Sequence, residues 1–162
     1  ELDWTLQRHN DFLHHFTPTT FIGNHDVTRI ASYVGTDGAA LALAILMTVG
    51  GIPTIYYGDE LGYLGVKEER PGGDDAVRPE FPEHPGERNH MYRIHQDLIG
   101  LRRRNPWLVH ATTEILALEN PHIAYRSSAD GHHIDVDINL DATPPQAHIT
   151  DETGATLWSS TS

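Results

Sequence analysis

The sequence predicts an α/β chain with parallel strands through its first two thirds, followed by a small antiparallel β domain. Three observations predict it. Up to about residue 60 the patterns run helix, strand, helix, strand, the wiring of parallel sheets and barrels. Both strand-like runs end in polar clusters containing carboxylates, Asn24-His25-Asp26 and Gly58-Asp59-Glu60. After Trp107-Leu108 the texture changes to short alternating runs, which places a domain boundary near Val109 and divides the chain into 1–108 and 109–162.

Residues 2–16 place Leu2, Leu6, Leu13 and Phe16 near helical spacing, with His9, Asn10, Asp11 and His14 at polar positions, so a surface helix is expected there. Pro18 stops it. Thr19 to Gly23 then reads as a short buried strand leading to Asn24-His25-Asp26. From Asp37, the expected N-cap, to Val49 runs an almost wholly apolar helix that must be buried. Gly50-Gly51 ends it, and Ile52 to Tyr57 gives a second strand. Residues 62–88 are rich in Gly, Pro and charge without periodicity, and a loop of that length in a compact domain points to function. Asn89 opens a helix with Met91, Ile94, Leu98 and Leu101 on one side, ending before Pro106. In the β segment, Ile134, Val136, Ile138 and Leu140 fall on one face, and turn signals at Ala129-Asp130-Gly131, Pro144-Pro145 and Thr153-Gly154 separate the strands.

With 162 residues, 38% of them hydrophobic, the chain has the composition of a soluble globular protein. It begins at Glu1 rather than Met, in a stretch already helix-like, and is expected to be cut from something longer. A formal charge of −12 argues against nucleic acid and anionic membranes as partners. Arg102, Arg103 and Arg104 are read as cations complementing the C-terminal dipole of their own helix. The absence of cysteine removes disulfides, thiolate metal sites and thiol nucleophiles, and leaves the compartment open between cytoplasm and exterior. The apolar stretch Ala39–Val49 is about half the length of a bilayer span.

His25 and Asp26 stand where the loops of an α/β barrel build active sites. The plainer reading is that Asp26 caps a helix starting at Val27-Thr28-Arg29-Ile30, with His25 merely packed. Tyr56 and Tyr57 could stack on a bound ligand or belong to the core.

Phe21-Ile22-Gly23-Asn24-His25-Asp26, together with Gly51-Ile52-Pro53-Thr54-Ile55-Tyr56-Tyr57-Gly58-Asp59-Glu60, resembles the last two strands of the catalytic barrel in the α-amylase family of glycoside hydrolases. The helix ending Leu98-Ile99-Gly100-Leu101-Arg102 and the β segment are similar to that family's final barrel helix and C-terminal β domain. The resemblance implies the C-terminal part of a (β/α)8 TIM barrel and a retaining mechanism on α-glucosidic bonds of malto-oligosaccharides or starch. Asp26 matches the third carboxylate, which steadies the transition state, and His25, beside Asn24, the histidine that binds the sugar at the cleavage site. Asp74 and Arg78 are similar to an Asp/Arg pair that grips the next sugar, against the plainer reading of a solvated surface ion pair. Asp59 and Glu60 are left as residues that orient neighbours.

The family's nucleophile and acid/base lie on earlier strands, and nothing in residues 1–20 resembles them. A retaining pair stands about 5 Å apart across one bond, so the other two carboxylates, and the N-terminal barrel portion carrying them, are expected outside this chain. The other reading is a catalytically inactive carbohydrate-binding or interaction remnant. His14, His15, His84, His90, His95, His132 and His133 show no zinc spacing, so no metal or cofactor is expected here; the family's calcium site, where present, belongs to the missing part. A dehydrogenase or phosphate-binding protein fails for want of a Gly-rich loop after either strand.

Overall fold

The computed structural model describes residues 1–83 and 88–161. Its helices are α1 (Leu2–Leu13), α2 (Ile30–Thr48) and α3 (His90–Arg104); its strands are β1 (Thr19–Thr20), β2 (Ile52–Pro53), β3 (Thr112–Glu119), β4 (His122–Ala129), β5 (His132–Asn139), β6 (Gln146–Asp151) and β7 (Thr156–Ser159). β1 and β2 pair in parallel, Thr19 with Ile52 and Thr20 with Pro53. The remaining strands form one antiparallel meander in sequence order.

The first two strands are shorter than their patterns suggest. Only two residues of each are paired, and Phe21 and Ile52, expected inside, are each about half exposed. Among the described residues neither strand has a second neighbour, so nothing covers the outer side chains. α1 likewise ends at Leu13, leaving Phe16 exposed. Its polar positions bind more than water: His9 Nε2 lies 3.0 Å from the Gly50 carbonyl, and the Asn10 amide donates to Thr113 O and accepts from Thr113 N.

α2 starts seven residues before the expected Asp37 cap, because two helical pieces meet at Gly35, whose φ of 75° a side chain would resist. Asp37 makes no cap bond there. Among the described helices α2 has the length and composition of a membrane span. Its break and the burial of Leu41, Leu43, Leu46 and Met47 against α3 and the sheet make it the central core helix instead. Gly51, with φ 94°, turns the chain into β2 where a Cβ would stand 2.5 Å from the Pro18 carbonyl.

Arg102 differs from the expectation for the arginine cluster. Arg103 and Arg104 are exposed at the end of their own helix, but Arg102 is buried and turned toward the end of α2. There its guanidinium donates to the carbonyls of Met47, Val49 and Gly51 at 3.2, 2.6 and 2.5 Å. Gly50 and Gly51 follow the helix, but the chain leaves it extended at Val49 and only Gly51 is left-handed, so no local cap satisfies those acceptors, and the negative end of the α2 dipole suits a cation. Burial pulls the Arg102 pKa down to about 10, still charged at neutral pH.

One hydrophobic cluster runs through α2, α3 and the inner face of the sheet, with Ile134, Val136 and Ile138 inside as the alternation requires. Leu140 falls outside, past the end of β5 at Asn139, and is more than half exposed. Within the core, Tyr125 meets Thr48 at 2.6 Å. Thr48 gives its own hydroxyl hydrogen to Ala44 O, so Tyr125 donates. Burial pushes the phenol pKa up. Tyr125→Phe is expected to cost about 1 kcal/mol in urea unfolding, since Thr48 keeps its backbone partner.

Candidate active site

The segment after β1 turns sharply. The Asp26 amide donates to Asn24 Oδ1 at 2.8 Å, a local turn that short polar side chains make readily. The turn sets the His25 and Asp26 side chains next to each other, with His25 Nε2 3.3 Å from Asp26 Oδ2, and both are more than half exposed. The capping alternative is not what forms: α2 begins at Ile30, the residue before it is Arg29, and no side chain caps it. The Asp26 carboxylate instead meets the loop that follows β2.

Arg78 supplies that contact. Its Nη2 stands 2.8 Å from Asp26 Oδ1 and 2.8 Å from Asp74 Oδ2, while Nε donates to the His25 carbonyl at 2.8 Å. Lys67 Nζ approaches the other Asp74 oxygen at 3.4 Å. Asn24, His25, Asp26, Asp74 and Arg78 therefore form one cluster. Each ion pair is partly solvated and contributes less than about 1 kcal/mol to stability, so the arrangement matters for geometry more than for folding.

The tyrosines hold this loop in place. The Tyr56 hydroxyl donates to Val77 O at 3.3 Å and the Tyr57 hydroxyl to Pro79 O at 2.6 Å. Asp59 and Glu60 lie on a 3-10 turn, Asp59–Leu61, rather than on a strand. Glu60 accepts from the Gly58 amide, whereas Asp59 is buried and pairs with Arg29, Nη1 to Oδ1 at 3.0 Å. The Arg29 guanidinium is 4.1 Å from the Tyr56 ring centroid and donates to the Tyr57 carbonyl at 2.6 Å. Sequence reasoning passed over Arg29 and Lys67. For Arg29 the available signal was its place three residues beyond Asp26 with two tyrosines downstream.

His95, on α3, is buried behind this pair. Its Nδ1 donates to Met91 O at 2.9 Å, which fixes the tautomer and leaves Nε2 as an acceptor. Burial holds its pKa below the ordinary value of 6.5, against smaller opposite effects of the Met91 hydrogen bond and of Glu60 and Asp59. The neutral ring therefore favours the fold above pH 6.5, and this contribution is lost as the pH falls from there through the folded-state value. His95→Gln should remove that part of the acid slope, as measured by urea unfolding at pH 7 and at a pH about one unit below the histidine range.

Among the described residues, no three His, Asp or Glu side chains are placed to hold a metal ion. His84 lies outside the described residues.

Comparison with known proteins agrees with this architecture. The family model of the α-amylase catalytic domain matches residues 1–107. The 4-alpha-glucanotransferase of Thermotoga maritima is 28% identical over 155 residues, covering 77% of this chain and 35% of that protein. The maltogenic alpha-amylase of Bacillus acidopullulyticus is 30% identical over 148 residues, covering 85% of this chain and 24% of that protein. Among solved structures, CldA, described as a cyclomaltodextrin glucanotransferase with a three-domain ABC distribution, aligns with TM-score 0.71 at 33% identity over 85% of this chain and 28% of its own. The chain spans about a third or less of the length of these three proteins. Matched over most of its length, it belongs to the α-amylase family, with the fold of the C-terminal part of the catalytic barrel followed by a small antiparallel β domain.

Proposed function

We propose that this chain is the C-terminal portion of an enzyme that cleaves or transfers α-glucosidic bonds of malto-oligosaccharides or starch with retention of configuration. Residues 1–108 supply the end of the barrel and 109–162 the β domain. The nucleophile and acid/base come from a barrel portion outside this chain, which is then an obligatory partner. Asp26 stabilises the oxocarbenium-like transition state, His25 and Asn24 bind the sugar at the cleavage site, and Asp74 and Arg78 contact the next one. No cofactor is assigned to this segment.

One observation carries the reading. Two segments separated by 52 positions meet at the Asp26 carboxylate, in the loop that follows a parallel strand, where a barrel presents its chemistry. The arrangement suits the task. Asp26 Oδ1 is oriented by Arg78 and Oδ2 faces the His25 ring, so a negative charge is fixed in direction before the substrate arrives. A preorganised charge costs no reorganisation when positive charge develops on the ring, and it acts on the transition state more than on the neutral sugar. Asp26 alone cannot form and break a glycosyl-enzyme bond, so the chain by itself is expected to be inactive.

The test is the configuration of the first product. With the full-length enzyme and maltoheptaose, proton NMR in the first minutes should show the new reducing end as the α anomer. A β anomer, or no reaction with α-glucans, would overturn the reading.

A further inference from the structure

We propose that the buried Arg29–Asp59 pair is a positioning device for the Asn24-His25-Asp26 corner. The inference rests on Asp26 being the transition-state carboxylate. Arg29 follows the corner and Gly23 precedes it, and Asp59 reaches both ends. Its Oδ1 accepts from Arg29 Nη1 at 3.0 Å, while its Oδ2 stands 3.4 Å from the point where a Cβ on Gly23 would lie. One carboxylate on the turn after β2 thus spans both ends of the segment that presents Asp26.

The rest of the Arg29 environment removes its freedom. The side chain is 1% exposed, its guanidinium lies over the Tyr56 ring, and Nη1 also holds the Tyr57 carbonyl. Its backbone amide donates to Gly65 O, and Thr28 Oγ1 accepts from the Lys67 amide. The corner is therefore joined below to the turn at 57–59 and at its far side to the loop that carries Asp74 and Arg78.

Stability is a poor explanation for this pair. Burying two charges costs enough desolvation that apolar residues of similar volume do as well or better. Burial itself pushes the Asp59 carboxyl pKa up, against the smaller opposing influence of Arg29. The pair is also incompletely satisfied by protein: Arg29 Nε and Nη2, Asp59 Oδ2 and His95 Nε2 have no protein hydrogen-bond partner. Two donors and two acceptors in one buried cluster are complementary and suit bridging water. What the pair supplies that an apolar substitute could not is direction, because a hydrogen-bonded guanidinium fixes angles that packing leaves loose.

The test uses the full-length enzyme with Asp59→Asn, Arg29→Lys and the apolar double variant Arg29→Met/Asp59→Leu, each assayed for kcat, KM and Tm. Displacing a catalytic group by about 1 Å can cost 10²-fold in rate, so Asp59→Asn is expected to lower kcat by about 10–100-fold with KM little changed. The double variant should recover wild-type Tm and leave kcat low. Recovery of both Tm and kcat would overturn the proposal, since the pair would then be structural only. Folded single variants with wild-type kcat would overturn it as well. Asp26→Asn, run in parallel, keeps the two readings separable: if it retains wild-type turnover the function of Asp26 is wrong, and if it fails while Asp59→Asn is unaffected only the positioning role is wrong. On the isotope-labelled protein, Asp59→Asn should shift the His25 and Asp26 resonances and leave those of the distant β5–β7 strands in place. Unmoved His25 and Asp26 signals would also contradict the proposal.

Discussion

Asp26→Asn in the full-length enzyme is expected to lower kcat by about 10²–10³-fold, the size of effect seen when one preorganised electrostatic contact is deleted. The substitution is close to isosteric. An amide oxygen can still accept from Arg78 Nη2, which now lies 2.8 Å away, so the corner should keep its shape and lose only its charge. Folding should barely change, because the Asp26 carboxylate is more than half exposed and its partly solvated pairs are worth little to stability. The effect should appear in kcat more than in KM, since a carboxylate beside a neutral ground-state sugar gains most when the ring becomes cationic. Steady-state kinetics on maltoheptaose, with circular dichroism to confirm folding, checks both halves of the expectation.

The largest stability effect is expected at Arg102. Arg102→Met keeps much of the side-chain volume and removes three hydrogen bonds, leaving the buried carbonyls of Met47, Val49 and Gly51 without their donor. Orphaned buried acceptors cost about 1–3 kcal/mol each, partly offset because methionine is easier to bury than a guanidinium. A net loss of about 2–4 kcal/mol is expected. For a chain of this size that lowers Tm by roughly 5–15 °C in a thermal scan. Arg102→Lys should fall between the two, because one ammonium cannot match a planar fork reaching three carbonyls. The loss should also loosen β2, whose entry at Gly51 Arg102 secures, and through the Thr19–Ile52 pairing the strand that leads into the Asp26 corner.

Much of the fold was legible because it follows from local periodicity. The apolar run in α2 and the alternation in β5 place Leu43, Leu46, Ile134 and Val136 in the core, as burial alone demands. The ends of elements were less legible. Phe21, Ile52 and Leu140 sit in patterns that look buried, yet each lies where pairing stops or where no neighbouring strand stands within the described residues. In the candidate site, the five residues singled out from sequence do come together, but their partners were less visible. Arg29 carried no assignment and Arg102 read as a cation for the dipole of its own helix, and only the folded chain reveals that the partners are Asp59, 30 positions away, and carbonyls 51 to 55 positions away. The helix-cap reading of Asp26 failed for the same reason. The competing partner, Arg78, arrives from a loop with no periodicity to announce it.

Reconstitution tests the central claim most directly: this chain and a separately expressed barrel portion carrying the nucleophile and acid/base are assayed on maltoheptaose, apart and mixed. Neither part alone should cleave, the mixture should, and Asp26→Asn in this chain should largely abolish the restored activity. Cleavage by this chain alone, or full activity of the mixture with Asp26→Asn, would contradict the account.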